Sequence, residues 1–369
     1  MNLLEILNFS KEYLEKHSIE KPRLESEKIL SCVLKINRIG LYAYFDRELS
    51  EDEKKQVKSF LKIVTEKKRS FDELKCEVQQ EVKDFYIENQ DIFQKSIEYL
   101  EKFEVPNPRL DAEYIFSHVL KVSRLMLSMN LNKEISAENK GLIRSMLIER
   151  GKKRRPLQYI LGEWEFYGYP MKVDERVLIP RSDTEVLVEQ CKYILSDLEK
   201  GKVLDIGCGS GAISIALGKQ LPKHEILGID ISDKALEVSE INKELNNATN
   251  VTFKKSNVFS ELKDKKFNMI ISNPPYIPMK EYEELMLEVR EHEPKFALTD
   301  GDKGLSFYEK ISKEAGEYLE IGGYLAFEIG YNQMEEVRKI MEKNKFVVCF
   351  TGKDYGGNDR VIIGKKSGD

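Results

Sequence analysis

Lys202-Val203-Leu204-Asp205-Ile206-Gly207-Cys208-Gly209-Ser210-Gly211-Ala212 reads as a buried strand, a turn with three glycines at alternate positions, and the start of a helix that continues to Gln220. Glycines in such a turn let backbone pass close to a ligand at the strand's carboxyl end. The same alternation continues downstream. Further strands are expected at 225–231, 251–255, 267–272, 324–329, 346–351 and 360–364, and helices at 183–198, 233–245 and 333–343. Strands and helices in this order build an α/β fold with a doubly wound, Rossmann-like, mostly parallel sheet.

The second strand ends in Gly228-Ile229-Asp230, about twenty residues beyond the glycines, where a carboxylate can accept hydrogen bonds from both hydroxyls of a ribose. Taken alone the loop is ambiguous, because Gly207-x-Gly209-x-x-Ala212 also satisfies the loose dinucleotide fingerprint. Two details favour S-adenosylmethionine. Asp205 sets negative charge where the ammonium group of that sulfonium ligand can sit and where a pyrophosphate would be repelled. The apolar run from Phe267 to Ser272 then stops at Asn273-Pro274-Pro275-Tyr276, at the sheet edge next to the first strand. Proline cannot donate to a ladder and fixes its own φ, and Pro275 keeps Pro274 out of the helical region. The Asn273 side chain and the Pro274 carbonyl are thereby two acceptors at fixed positions. They suit the NH2 of a planar amide or aromatic amine, with Tyr276 as a stacking face.

The 369 residues exceed one small core, and 41% hydrophobic with 33% charged residues describes a soluble globular chain of two or three domains. A net charge of -5 argues against holding nucleic acid mainly by neutralising phosphates. Five scattered cysteines without a Cys-x-x-Cys, and four histidines, give no metal-ligand spacing. Reduced thiols, no metal and a cytoplasmic location are expected. Met1 to Lys16 mix Glu and Lys among leucines, which fits an amphipathic helix and neither a signal peptide nor a membrane span.

Ahead of the sheet the chain repeats itself at an offset of 86 residues. Pro22-Arg23-Leu24-Glu25 through Leu34-Lys35 matches Pro108-Arg109-Leu110-Asp111 through Leu120-Lys121, and Glu12 to Lys16 recurs as Glu98 to Lys102. Ile29, Leu30, Val33 and Leu34 in one copy, and Ala112, Ile115, Phe116, Val119 and Leu120 in the other, keep the spacing of one buried helix face. Ser50 with Glu53 forms a capping box ahead of the stripe Val57, Phe60, Leu61 and Val64. The expected organisation is an extra helical bundle over 1–85, a second bundle that grips substrate over 86–160, a linking β-hairpin over 161–182 and a catalytic domain over 183–369. The charged run Lys152 to Arg155 reads as a solvated helix end, with contact to a partner as the alternative.

Together with Gly162 to Gly168, Leu178 to Glu185 and Glu293 to Leu305, these motifs resemble the HemK-type peptide chain release factor glutamine N5-methyltransferases, a branch of the class I S-adenosylmethionine-dependent methyltransferases. The resemblance runs from about residue 90 to the end; Ser182 departs from the family's usual proline, and residues 1 to 85 are absent from the ordinary member. It implies methyl transfer from S-adenosylmethionine to the side-chain amide of the glutamine in the Gly-Gly-Gln loop of class I release factors. Carried over by position, cofactor contacts fall on Gly207, Cys208, Gly209, Ser210, Gly211, Asp230 and Asn273, with Phe259 either beside adenine or in the core. Asn273, Pro274, Pro275 and Tyr276 hold the substrate, and Asn273, Pro274 and Tyr276 carry the catalysis. Phe166 is similar to the family's aromatic near the sulfonium, or is hairpin core. No histidine or carboxylate base is apparent near the loop. Expected partners are class I release factors, with no membrane, no stable nucleic-acid partner and a monomeric chain. The alternatives are a ribosomal-protein glutamine or an adenine amine as substrate and, from another class, a non-catalytic cofactor-binding module.

Overall fold

The computed structural model describes residues 2–34, 36, 38–131 and 135–367, so Met1 and Lys35 of the stretches quoted above lie outside the described residues. The chain divides into two compact units, with the boundary after Leu147.

The first unit is helical: α1 Leu3–Lys16, α2 Pro22–Leu34, α3 Arg38–Ala43, α4 Glu51–Lys67, α5 Phe71–Lys102, α6 Pro108–Leu120, α7 Arg124–Asn130 and most of α8 Ala137–Gly151. The repeat in the sequence is a repeat in structure, since α2, α3 and α4 each begin 86 residues before α6, α7 and α8. It extends to the ion pairs. Glu27 pairs with Arg23 and Arg38, and its counterpart Glu113 pairs with Arg109 and Arg124. Ser50 and Glu53 cap α4 reciprocally, satisfying two donors that the helix leaves unpaired. Residues 85 and 86 fall inside α5, one continuous helix. Its start packs Phe71 and Leu74 into the core of the first copy, and its end sets Phe93 edge-on to Phe116 of α6, with ring centroids 5.1 Å apart.

The second unit opens with α9 Leu157–Leu161 and the antiparallel hairpin β1 Glu163–Phe166 and β2 Tyr169–Lys172. After α10 Ser182–Leu195 come β3 Lys202–Ile206, α11 Ala212–Gln220, β4 Glu225–Asp230, α12 Asp233–Leu245, β5 Val251–Lys255 and β6 Phe267–Ser272. Short helices α13 Met279–Tyr282 and α14 Leu287–His292 precede α15 Ser306–Tyr318, β7 Leu319–Glu328, α16 Met334–Lys343, β8 Phe346–Lys353 and β9 Asp359–Lys366. The seven-stranded sheet has the order β5-β4-β3-β6-β7-β9-β8, parallel except at β9, which runs antiparallel to both neighbours. Strand residues alternate between two cores. Val203, Met269 and Ile271 face one side with α10, α11 and α12, while Leu204, Ile270 and Leu325 face the other with α15 and α16. Because the chain leaves β3 in one direction for β4 and returns on the other side as β6, a crevice opens at their carboxyl ends.

The basic run Lys152 to Arg155 is no freely solvated helix end. Arg154 joins Arg150 on the buried carboxylate of Glu288, and Arg155 reaches Glu175 at 3.1 Å. No helix among the described residues is long and apolar enough to cross a membrane.

Candidate active site

The carboxyl ends of β3, β4 and β6 border a cavity of about 170 Å³. Gly207 and Gly209 line it with φ of +75° and +54°, and a Cβ on either would stand in open space, so bare backbone faces the cavity. Gly211 has a different task. Its Cβ would lie 2.7 Å from the Phe253 ring, so it lets α11 pack closely, and neither it nor the buried Cys208 and Ser210 lines the cavity. Asp230 does line it, held by Gly209 N–H on Oδ2 and Ser232 N–H on Oδ1, each at 2.9 Å. Burial pushes its carboxyl up, against the pull of those N–H groups.

Asp205, next to last in β3, is completely buried and does not line the cavity. Its Oδ2 accepts from Ser214 Oγ at 2.6 Å, whereas Oδ1 has no partner, and burial pushes the carboxyl up to about 7. A buried anion with one oxygen unpaired is costly unless something positive reaches it.

On the other wall stand Asn273, Pro274 and Pro275. Asn273 Nδ2 donates to Thr184 Oγ1 at 3.2 Å, which leaves Oδ1 as the acceptor of that side chain. The Pro274 carbonyl accepts no hydrogen bond from the described residues. The loop behind them is clamped, since Gln333 Nε2 donates to the Tyr276 carbonyl at 2.9 Å. Gly304 crosses so near that a Cβ would come 2.0 Å from that oxygen. The stretches around Ile179 and Glu293 are tied as well, with Glu293 accepting from Ile179 N–H at 3.2 Å and pairing with Arg181. Tyr276 does not line the cavity. Its hydroxyl accepts from Arg360 Nη1 at 3.3 Å and donates to Glu328 Oε1 at 3.2 Å.

Glu328 corrects the expectation that no carboxylate stands near the loop. It ends β7 fully buried, with Oε2 lacking a hydrogen-bond partner, and burial pushes it up to about 7 against the Thr184 and Tyr276 hydroxyls and Arg360. Two aromatics of the sequence reading lie elsewhere. Phe259 stacks on Tyr318 inside the core, with centroids 4.3 Å apart, and Phe166 is buried in the hairpin core; neither lines the cavity. Beside Phe259 the wall is made by Asn257 and by Val258, whose φ of +54° is unusual for a β-branched residue. Phe296 also lines the cavity while remaining exposed. No periodic pattern marks these positions, because Asn257 and Val258 reach the cavity from a turn and Phe296 from a single turn of 3-10 helix, Lys295–Ala297.

The methyltransferase small domain model matches residues 182–302, and the PrmC N-terminal domain model matches twice, at residues 5–66 and 91–162. The release factor glutamine methyltransferase of Fusobacterium nucleatum is 56% identical over 339 residues, covering 92% of this chain and 95% of that protein. Those of Geobacter sulfurreducens and Thermodesulfovibrio yellowstonii are 43% and 42% identical, covering 72% and 70% of this chain and 93% and 92% of theirs.

Proposed function

We propose, because this chain belongs to the release factor glutamine methyltransferases, that it transfers a methyl group from S-adenosylmethionine to the side-chain amide nitrogen of the glutamine in the Gly-Gly-Gln loop of class I release factors. The observation that carries this reading is the pair of unengaged acceptors, Asn273 Oδ1 and the Pro274 carbonyl, on the wall of a cavity whose opposite side is bare glycine backbone.

The residues present fit S-adenosylmethionine. Asp230 at the end of β4 offers carboxylate lone pairs to a ribose diol, Gly207 and Gly209 leave room for the ligand, and the unpaired Oδ1 of Asp205, buried and outside the cavity lining, puts negative charge next to that wall, which favours an ammonium group. When bound, that cofactor supplies an electrophilic methyl group on a sulfonium. The protein's task is to aim a poor nucleophile, because an amide nitrogen's lone pair is delocalised into its carbonyl. Asn273 Oδ1 and the Pro274 carbonyl would each accept one N–H of the glutamine, fixing the amide plane. Alignment of this kind can supply on the order of 7–11 kcal/mol in well-oriented reactions. The same two oxygens favour the positive charge that grows on nitrogen, so they bind the transition state better than the ground state. The helical unit, with its twofold match to the N-terminal domain model, is suited to gripping the protein substrate.

The test is to incubate the purified chain with methyl-labelled S-adenosylmethionine and, separately, unmodified release factor, ribosomal protein and DNA. Label is expected on the Gly-Gly-Gln peptide of the release factor. Label on ribosomal protein or DNA with none on the release factor would overturn the reading.

A further inference from the structure

We propose that Tyr276 is a positioning residue: its hydroxyl, held between Arg360 and Glu328, anchors the far end of the loop from Asn273 to Tyr276 and so keeps Asn273 Oδ1 and the Pro274 carbonyl where a substrate amide can meet them. This rests on the amide-methylating function proposed above and deepens it, giving the tyrosine of that loop a task other than stacking on the substrate. A stacking face has to line the cavity, and Tyr276 does not. Its ring packs instead against the core on the α15 and α16 side of the sheet.

Most of the loop's torsions are already set. Ser272 closes β6 in register with Ile206 and Phe327, and its Oγ donates to the Ile206 carbonyl at 2.8 Å, so the near end of the loop is fixed. The proline rings fix φ at 274 and 275, and the residues ahead of them, Asn273 and Pro274, are confined to extended ψ. What remains is φ of Asn273, ψ of Pro275 and φ of Tyr276. A stiff two-proline segment with these freedoms swings about its near end unless the far end is held.

The far end is held through both backbone and side chain. The Tyr276 carbonyl accepts from Gln333 Nε2 at 2.9 Å, and the next N–H, of Ile277, donates to the Leu298 carbonyl at 2.9 Å. The Tyr276 hydroxyl accepts from Arg360 Nη1 at 3.3 Å, because a guanidinium can only donate, and gives its one hydrogen to Glu328 Oε1 at 3.2 Å. Both partners belong to the sheet. Glu328 ends β7 opposite Val361, the residue after Arg360 in β9. Arg360 is itself fixed, with Nε and Nη2 donating to Asp354 Oδ2 at 3.2 and 2.9 Å and Nη1 also reaching the Ile329 carbonyl at 3.2 Å. The hydroxyl thus ties a loop that borders the cavity to two adjacent strands that do not move with it.

The test compares Tyr276→Phe, Tyr276→Leu, Glu328→Gln and the double variant Tyr276→Phe, Glu328→Gln with wild type, on whole release factor at saturating S-adenosylmethionine. Tyr276→Phe keeps the ring and removes only the hydroxyl. It is expected to lower kcat about ten-fold while KM for release factor and cofactor Kd stay within about two-fold, since the loss is one of alignment. Glu328→Gln should lower kcat in the same way, because a neutral amide replaces the anionic acceptor. The double variant should be little slower than Tyr276→Phe alone, because both changes act on one hydrogen bond. Wild-type kcat in Tyr276→Phe, with or without a lower melting temperature, overturns the anchor, and a slow Tyr276→Leu beside it would return the ring to the stacking role. A loss confined to KM or to cofactor Kd, or two losses that multiply, overturns it as well. Should Tyr276→Phe fail to fold, a full rate in Glu328→Gln overturns it equally. A wild-type chain that leaves the release factor unmethylated overturns the functional reading itself, and the anchoring role falls with it.

Discussion

Asp205, next to last in β3, and Glu328, last in β7, are both carboxylates buried toward the carboxyl ends of their strands, yet the protein treats them differently. Both are fully buried, each keeps one oxygen without a hydrogen bond, and burial pushes each to about 7. Asp205 has a single side-chain partner, Ser214, and its neighbour in charge is another carboxylate, Asp230. Glu328 accepts from the Tyr276 hydroxyl, and the nearby Arg360 guanidinium favours its charge. On the proposed reading the first charge is left for a cationic ligand, whereas the second takes the hydroxyl of Tyr276 and so ties down the loop that would hold substrate. The same buried carboxylate would then serve the cofactor in one region and the substrate loop in the other, according to what the neighbouring elements supply.

The largest effect expected from this pair is on stability. The folded chain holds both protons up to about pH 7, whereas an unfolded Asp or Glu releases them near 4. Between those values the folded state binds more protons, so stability falls as pH rises and the full cost stands above about 7; each group contributes on the order of 3 kcal/mol. Carboxylates held low, such as Asp174 by Arg176, and Asp354 at about 2 by the Asn358 N–H and then Arg360, oppose this only at lower pH, where protonation removes their support. Thermal unfolding of unliganded protein should therefore shift upward from pH 8 to 5.5, and the double variant Asp205→Asn, Glu328→Gln should flatten that slope. A slope unchanged in the double variant would remove the premise of the comparison.

Next in size is Asn273→Ala, expected to lower the single-turnover rate by about two orders of magnitude or more, ~2.7–4 kcal/mol, with cofactor affinity changed only a few-fold. A near-normal rate would refute the two-acceptor mechanism. Asp230→Ala should act on the other side, weakening S-adenosylmethionine binding by roughly 2–4 kcal/mol with little effect on release-factor affinity. Calorimetry checks this, and unchanged cofactor binding would detach the end of β4 from the ligand.

Much of this was legible in the residues themselves. Gly207, Gly209 and Asp230 lie within one strand-turn-helix-strand span, Asn273 to Tyr276 is continuous, and the repeat at offset 86 reappears in the starts of α2 to α4 and α6 to α8. Glu328 was not legible. A glutamate closing an apolar strand carries no mark of burial, and the Tyr276 hydroxyl that meets it, itself held by Arg360, comes from far away in sequence. The same limit applies to Phe259. Its position after β5 suits a ligand wall, but the left-handed turn at Val258 is accompanied by a ring that points into the core against Tyr318.

The smallest effect is expected from the first helical copy. Its core closes on itself with the start of α5, so removing residues 2–69, which spares the Ser70 cap, should leave cofactor affinity and methylation of a loop peptide within about two-fold. Efficiency on whole release factor is the only quantity expected to drop. Loss of cofactor binding in a soluble deletion protein would show that this copy serves the catalytic sheet.

The division of labour between the two carboxylates is tested most directly by measuring cofactor Kd and single-turnover rate for Asp205→Asn and Glu328→Gln side by side. Asp205→Asn should weaken S-adenosylmethionine binding by roughly 1.5–3 kcal/mol while nearly keeping the rate at saturation, and Glu328→Gln should keep the Kd and lose the rate. The same pattern in both variants, whether in binding or in rate, would contradict the account.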